Sequence, residues 1–285
     1  MGLFNIARRF DRLESIPYVL GHSEFEMERL QLQASIIEGV TRRLIQESGI
    51  GTGMTVLEIG CGAGDVSILL AEAVGGTGRV VAFDREARAV ETAQAKARSM
   101  GHDNIDFIVT SDKQLPQLPP FDAVIGRYVL IHQADAVAMI QRAAKAVRPG
   151  GIVAFHEVAL DRSNQFLSMP SVELVKSLSY SLGVAFETLL PEHDVASRLI
   201  PCFEDAGLPT PRLIWECIAG NHTSPIGRWL ALTYGSMLPH ITKLGLADVK
   251  ETDPERIAGR LNAELWTARA QVVSRAQACA WAVRP

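Results

Sequence analysis

Short apolar segments alternate with helix-forming segments over the first part of the chain, and this alternation restricts the fold more than any other feature. The apolar segments are residues 53–60, 79–83, 104–109, 121–126 and 151–158. Each is bounded by Gly, Pro, Asp or Asn, as strands usually are. The helix-forming segments are residues 64–74, 86–100 and 134–147, the last stopped by RPGG at 148–151. Nearly continuous apolar strands separated by helices predict a parallel sheet covered on both faces.

The flanking regions are mostly helix-forming. One helix is expected over residues 24–48, ending at Gly49. Later helices are expected near residues 171–186, 192–206, 226–245 and 254–269. Residues 211–220 and the segment from Gln271 onward have strand-like content. Because no internal repeat or low-complexity linker divides the chain, we expect a single domain, with a helical cap assembled from both ends.

Composition excludes several classes of function. The net charge is −4 and the pI is about 6.0, which disfavours nucleic acid as a partner. Four cysteines lie far apart without a CxxC spacing, so a metal site is not expected and reduced thiols are. No apolar run approaches the roughly 18 residues of a membrane span. We therefore expect a cytoplasmic protein without membrane association.

The stretch VLEIGCGAGD at 56–65 places glycines directly after the first strand. Missing Cβ atoms let a ligand approach the main chain, and the following helix presents its positive end. A dinucleotide-binding loop would read G-x-G-x-x-G, but Asp65 stands in the place of its third glycine. A Walker lysine is also missing. The loop thus favours a nucleotide-like ligand without a pyrophosphate.

Polar residues follow the next strands at the same predicted edge of the sheet. Asp84 ends the second strand and can accept hydrogen bonds from both hydroxyls of a ribose. Ser111 and Asp112 follow the third strand, either beside an adenine amino group or in a plain surface turn. After the fourth strand, the residues expected to project into the same crevice are Arg127, Tyr128 and His132.

Together these motifs resemble the class I S-adenosylmethionine-dependent methyltransferases. The matching stretches are VLEIGCGAGD, FD at 83–84, SD at 111–112, FDAVIGRYVLIHQAD, and VRPGG at 147–151. They occur in the family's order and spacing over about residues 50–160. Residues 18–34, YVLGHSEFEMERLQLQA, and the C-terminal layout also resemble a bacterial subgroup that acts on small molecules.

The resemblance implies a fold and a division of the chain. The fold is a doubly wound, Rossmann-like α/β sheet of seven strands with its last strand antiparallel. Residues 1–48 would form a helical lid and residues 50–160 the cofactor-binding core, while residues 161–210 and 221–270 would form the cap and substrate-binding insertions. All would belong to one methyltransferase domain, residues 1–285.

The resemblance also implies S-adenosylmethionine as cofactor and S-adenosylhomocysteine as product. The cofactor contacts expected from it and from the strand ends are Glu58, Gly60, Gly62, Gly64, Asp84, Arg85, Ser111, Asp112, Arg127 and His132. In the subgroup the N-terminal segment folds over the cofactor, so Tyr18 and Gln33 are candidate lid contacts. Tyr18 as an ordinary packing residue is an equal alternative.

Methyl transfer needs positioning, exclusion of water and, for some acceptors, removal of a proton. The candidate bases are His132, after the fourth strand, and the pair His156 and Glu157, at the end of the fifth. His132 could instead cap a helix, and His156 could be a buried, hydrogen-bonded residue. Since side chains alternate along a strand, Glu157 would then point to the other face.

The leading hypothesis is methylation of a small molecule, such as a secondary metabolite. Aromatic and apolar residues of the cap offer a pocket wall for a mid-sized acceptor, although most should be core: Phe166, Leu167, Met169, Tyr180, Phe186, Trp229, Tyr234, Met237 and Leu238. RNA or protein methylation, and a cofactor-binding protein that steers a cyclisation, are the alternatives. The acceptor, the methylated atom and the oligomeric state stay open, with a homodimer as a guess.

Overall fold

The computed structural model describes residues 24–110, 120–247 and 251–285. The strands in these ranges are β1 (Thr55–Ile59), β2 (Arg79–Asp84), β3 (Ile105–Val109), β4 (Phe121–Arg127), β5 (Val147–Val158), β6 (Leu167–Met169), β7 (Arg212–Glu216), β8 (Ala219–Gly220), β9 (Gln271–Val273) and β10 (Gln277–Val283). Seven of the described strands form one sheet in the order β3-β2-β1-β4-β5-β10-β7. The first five strands are parallel, and β10 runs antiparallel to both β5 and β7. The predicted Rossmann-like sheet with an antiparallel last strand is confirmed.

Alternation along the strands builds a core on each face of the sheet. In β1, Val56 packs into one apolar cluster and Leu57 into the other. Val80 and Val81 of β2 divide in the same way. Because successive side chains of a strand point to opposite faces, this division is the expected result of apolar residues at every position.

Helices cover both faces and form the cap. They are α1 (Glu24–Ser48), α2 (Asp65–Val74), α3 (Ala87–Ser99), α4 (Ala136–Ala146), α5 (Glu173–Leu189), α6 (Leu199–Asp205), α7 (Pro225–Lys243) and α8 (Pro254–Thr267). The second half of α1 packs on the sheet through Val40 and Leu44. Its first half contacts α7, where Ser236 donates to the Glu26 carboxylate at 2.7 Å. The cap is therefore assembled from both ends of the described chain.

The structure differs from the sequence-based expectation in two places. Helix α4 ends at Ala146, as the RPGG segment at 148–151 predicted, but β5 already begins at Val147 rather than at residue 151, and its pairing with β4 shifts register. A small second sheet, β6-β9-β8, joins the segment after β5 to the segment before β10. Strands this short have little periodic pattern, and their pairing joins residues far apart in sequence, such as Leu167 with Val273 and Ala219 with Val273.

None of the helices in the described ranges combines the length and the apolar content needed to cross a bilayer.

Candidate active site

A cavity of about 380 Å³ opens at the carboxyl ends of β1, β2 and β4. Its wall has two parts that differ in chemistry. One part comes from the strand ends and includes Glu58, Gly62 and Asp84, and the other comes from the cap and includes Phe186 and Trp229. We refer to these as the strand-end side and the cap side. A polar end that continues into an apolar pocket suits a ligand pair of unlike polarity.

The glycine loop after β1 exposes bare main chain to the cavity. Gly60 and Gly62 line it with φ values of 69° and 50°, a conformation that L-residues with a side chain rarely adopt. A Cβ built at Gly62 would meet no atom within 4 Å. The loop at Gly62 is therefore open, and a ligand can approach its backbone.

Asp84, at the tip of β2, holds this loop in place. Its Oδ2 accepts a hydrogen bond from Gly62 N–H at 2.9 Å, and its Oδ1 accepts one from Glu86 N–H at 3.0 Å. The side chain also lines the cavity. Because a carboxylate oxygen can accept more than one hydrogen bond, Asp84 retains capacity for a ligand's hydroxyl groups.

Gly64 has a different role from the other two glycines. It is not part of the cavity wall, although the sequence placed it in the binding loop. Its φ is 82°, and a Cβ there would lie 2.9 Å from the Cβ of Ala93 in α3. The missing side chain thus allows close packing of the loop against α3.

Glu58, near the end of β1, is a buried carboxyl group on the strand-end side. It is 2% exposed, and Ser67 of α2 donates a hydrogen bond to it. Burial raises the pKa of Glu58 to about 7, while the Ser67 bond and the Arg127 charge oppose this change. Glu58 therefore titrates near neutral pH.

Helix α1 contributes Arg29 and Gln33 to the cavity wall. The Arg29 guanidinium pairs with Glu26 at 2.6 Å, and its Nη1 donates to Gln33 Oε1 at 2.9 Å. Arg127, at the end of β4, also lines the cavity and donates to Thr41 Oγ1 at 3.3 Å. The predicted residues Gln33 and Arg127 are thus brought to the same cavity from different elements, together with Arg85.

Of the three candidate bases, only His132 lines the cavity. It ends a short 3-10 helix, Leu130–His132. Burial lowers the pKa of His132 to about 4, with a further contribution from the positive charge of Arg85. Its imidazole is therefore neutral at physiological pH and can accept a hydrogen bond, while the lowered pKa makes it a weaker base than an ordinary histidine.

His156 does not reach the cavity, contrary to the expectation from its position in β5. It is fully buried, and its two ring nitrogens lie 3.1 Å from Thr41 Oγ1 and 3.1 Å from Gln277 Oε1. Burial lowers the pKa of His156 to about 3. His156 therefore matches the alternative prediction, a buried, hydrogen-bonded histidine.

Glu157 is also absent from the cavity wall. Its Oε1 accepts hydrogen bonds from the N–H groups of Val129 and Leu130, at 3.0 and 2.8 Å. These are the first residues of the segment that leads to His132, so the carboxyl group holds this segment against β5. Burial raises the pKa of Glu157 to about 8.

This burial predicts a pH dependence of stability. The folded protein keeps a proton on Glu157 up to about pH 8, whereas the unfolded chain releases it near the ordinary pKa of 4.5. Glu157 therefore lowers the free energy of unfolding as the pH rises from 4.5 to 8. Glu157→Gln keeps the shape and has no proton to lose, so we expect the variant to be more stable than the wild type at pH 8 by about 1–3 kcal/mol.

Urea unfolding at pH 6.5 and pH 8 measures this difference. The lower pH is 6.5 because the ordinary pKa of His156 is 6.5. Below this pH, His156 changes the free energy of unfolding in the opposite direction to Glu157. Glu173→Gln, at an exposed position of α5, is the matched control and should follow the wild type. If the free energy of unfolding changes equally between pH 6.5 and pH 8 in Glu157→Gln and in the wild type, a raised pKa for Glu157 is contradicted.

Three predicted site residues, Tyr18, Ser111 and Asp112, lie outside the described ranges. Conversely, the cavity wall contains residues that the sequence did not single out, among them Arg29, Leu160 and Arg275. The sequence feature that could have indicated Arg29 is its spacing from Glu26 and Gln33, which puts the three residues on one face of one helix. Arg275 gave only a weak signal, a lone charge within an apolar segment.

A minority of the cap residues lie on the cavity, as the sequence suggested: Phe166, Phe186, Trp229 and Met237. Tyr234 is core, but Leu167, Met169 and Tyr180 are about half exposed, although most of the set was expected to be core. The cap side is thus an apolar, aromatic wall.

The chain is similar in sequence to known methyltransferases. Residues 50–189 match the family model of a methyltransferase domain. A demethylmenaquinone methyltransferase of Lactococcus lactis is 29% identical over 168 residues, 58% of this chain and 65% of that protein. The aklanonic acid methyltransferase DauC of a Streptomyces species is 39% identical over 116 residues, 40% of this chain and 52% of that protein. The chain thus matches between about half and two thirds of the length of these relatives.

Among solved structures, a Bacillus halodurans protein provisionally named as a methyltransferase has the same fold. The TM-score is 0.58 at 17% sequence identity, over 86% of this chain and 98% of that chain.

Proposed function

We propose that this chain is a class I S-adenosylmethionine-dependent methyltransferase, which the match of residues 50–189 to a methyltransferase-domain model supports, and that it methylates a mid-sized, largely apolar organic molecule. The observation that carries the proposal is the pairing of open glycine backbone at Gly62 with the Asp84 carboxylate, inside a cavity whose other wall is aromatic. The strand-end side fits an adenosine-bearing amino acid, and the cap side fits an apolar acceptor.

The cofactor would be held by groups of the strand-end side. The main chain at Gly60 and Gly62 allows close approach, and Asp84 accepts from ribose hydroxyls. Glu58, with its pKa of about 7, offers a carboxyl group for an ammonium group, whose positive charge favours the ionised form. Arg127 and Gln33 extend this polar wall toward α1.

When bound, S-adenosylmethionine supplies a methyl group on a positively charged sulfur to an electron-rich acceptor atom. The residues of this chain then have to position the acceptor and exclude water. Phe166, Phe186 and Trp229 provide the wall that does both, with Phe166 and Trp229 packed edge to face at 5.4 Å. Of the candidate bases, His132 is the one that lines this cavity; its neutral imidazole can accept a hydrogen bond from the acceptor, and its lowered pKa makes it a weak proton acceptor.

Isothermal titration with S-adenosylmethionine and S-adenosylhomocysteine is the first test. We expect saturable binding of both, and no competition from NAD. Absence of binding at about millimolar cofactor would refute the proposal, because a Kd of about 1 mM corresponds to a binding free energy of only about −4 kcal/mol.

Incubation with methyl-labelled S-adenosylmethionine then tests transfer. The curated relatives are named for demethylmenaquinone and aklanonic acid, so these are the first acceptors to compare. Label in the organic product supports the proposal. Label in bulk RNA or in added protein would favour a macromolecular acceptor, and conversion of a substrate without release of S-adenosylhomocysteine would favour a cofactor-dependent cyclisation.

A further inference from the structure

Arg275 is a buried cation on the wall of the cavity. It lies between β9 and β10, is 2% exposed, and lines the cavity together with Leu160 and Phe186 of the cap side. Charged side chains are rarely buried to this extent unless a partner of opposite charge compensates them.

Such a partner is missing among the described residues. The Arg275 Nη1 donates to the carbonyls of Asn164 at 2.5 Å and Ala159 at 3.5 Å, and Nη2 donates to the carbonyl of Ser179 at 3.4 Å. All three acceptors are neutral. The Nε–H is buried and has no acceptor in the described part of the chain.

The carboxylate of Asp161 influences Arg275 only through space. It forms no ion pair with the guanidinium and accepts hydrogen bonds from Ser163, Asn164 and Ser197 instead. Burial lowers the pKa of Arg275 to about 10, so the group still carries its charge at neutral pH. The ring of Phe186, 5.7 Å from the guanidinium carbon, compensates this charge weakly.

Arg29 provides a comparison within the same cavity. It is also buried, at 3% exposed, and it also lines the wall. Glu26 neutralises it at 2.6 Å. The protein thus supplies a counter-charge for one buried arginine of this cavity and leaves the other with neutral contacts.

A purely structural role explains only part of this arrangement. Arg275 does join three backbone segments, and its two Nη atoms are engaged in doing so. A neutral amide could donate to carbonyls without the desolvation of a charge, which costs several kcal/mol per buried ion. Since Arg275 lines the cavity and no described carboxylate pairs with it, an anionic group of a ligand would supply the missing counter-charge.

We propose that Arg275 recognises a carboxylate on the methyl acceptor, which makes the acceptor an apolar, ring-bearing organic acid. This inference rests on the proposed function, since it names the substrate class of the same cavity. The aromatic side chains would enclose the rings, while Arg275 would neutralise the carboxylate.

Binding of matched acids and amides tests the inference without requiring turnover. The probes are 2-naphthoate with 2-naphthamide and 2-anthracenecarboxylate with its amide, titrated calorimetrically into the wild-type protein with S-adenosylhomocysteine present. We expect each acid to bind about tenfold or more tightly than its amide. Equal binding of acid and amide, preference for the amides, or no binding of any probe would overturn the inference.

Variants then assign the preference to Arg275. Arg275→Gln should abolish the preference by weakening the acids about tenfold or more and the amides little, and Arg275→Lys should retain part of it. Arg256→Gln, at a position of α8 that is 73% exposed, is the control. A preference that survives in folded Arg275→Gln would refute the assignment. If this variant does not fold, the ratios in wild type and Arg275→Lys decide, and a Lys variant with the full wild-type preference would refute a guanidinium-specific contact.

Binding of S-adenosylhomocysteine alone separates the two proposals. If it fails, the proposed function is wrong. If it succeeds while acids and amides bind equally, only the assignment of the substrate class is wrong.

Discussion

Replacing Asp84 with alanine is expected to weaken S-adenosylmethionine binding by about 2–3 kcal/mol, or roughly 30- to 150-fold. Two losses combine in this variant. The carboxylate no longer accepts from ribose hydroxyls, and it no longer fixes the loop through the 2.9 Å bond from Gly62 N–H. Isothermal titration of the variant against wild type measures the effect.

Asp106→Ala is the matched control for this experiment. Asp106 lies in β3, is 42% exposed and pairs with Arg79 on the surface. Its removal should leave the affinity unchanged, because exposed ion pairs contribute little. An Asp84→Ala variant that binds as tightly as the wild type would remove Asp84 from the ligand site.

The second large effect is expected at Gly64. Gly64→Ala puts a Cβ 2.9 Å from the Ala93 Cβ, at a φ of 82°. The left-handed conformation costs about 1–2 kcal/mol with a side chain, and the overlap with α3 costs about 1–3 kcal/mol more. We expect the free energy of unfolding to fall by about 2–5 kcal/mol, as measured by urea unfolding.

Gly62→Ala is the internal control, since it shares the positive φ but has open space at the Cβ position. It should lose less stability than Gly64→Ala and should instead lose cofactor affinity, because the added methyl group lies on the cavity wall. Equal stability of the two variants would show that contact with α3 is not the reason for glycine at position 64.

The strand-end half of the cavity was largely predictable from local sequence. A strand, a glycine loop and a helix are adjacent in the chain, so the order VLEIGCGAGD already indicates exposed main chain at Gly60 and Gly62. Asp84 follows from the rule that parallel strands end at one edge of the sheet. The same pattern could not distinguish Gly64, because its reason lies in α3.

The candidate bases illustrate what local pattern leaves out. His132 follows β4 and His156 lies near the end of β5, yet of the two only His132 lines the cavity. The partners that enclose His156 are Thr41 of α1, 115 positions earlier, and Gln277 of β10, 121 positions later. Thr41 and Gln277 reach His156 because α1 and β10 pack against β5. The sequence of β5 alone does not encode this packing.

The sequence by itself therefore determined a parallel sheet covered by helices and the strand-end side of the cavity, because strand–helix alternation and strand-end chemistry are carried by neighbouring residues. The seven-stranded sheet with its antiparallel last strand was implied by the resemblance to the methyltransferases. Only the tertiary structure decided the cap side. Arg275 meets the carbonyls of Ala159, Asn164 and Ser179 across 96 to 116 positions of chain. Arg275 is buried without a contacting carboxylate because of how the cap packs around it. A short stretch of sequence cannot predict this, because the neighbours of Arg275 come from distant segments.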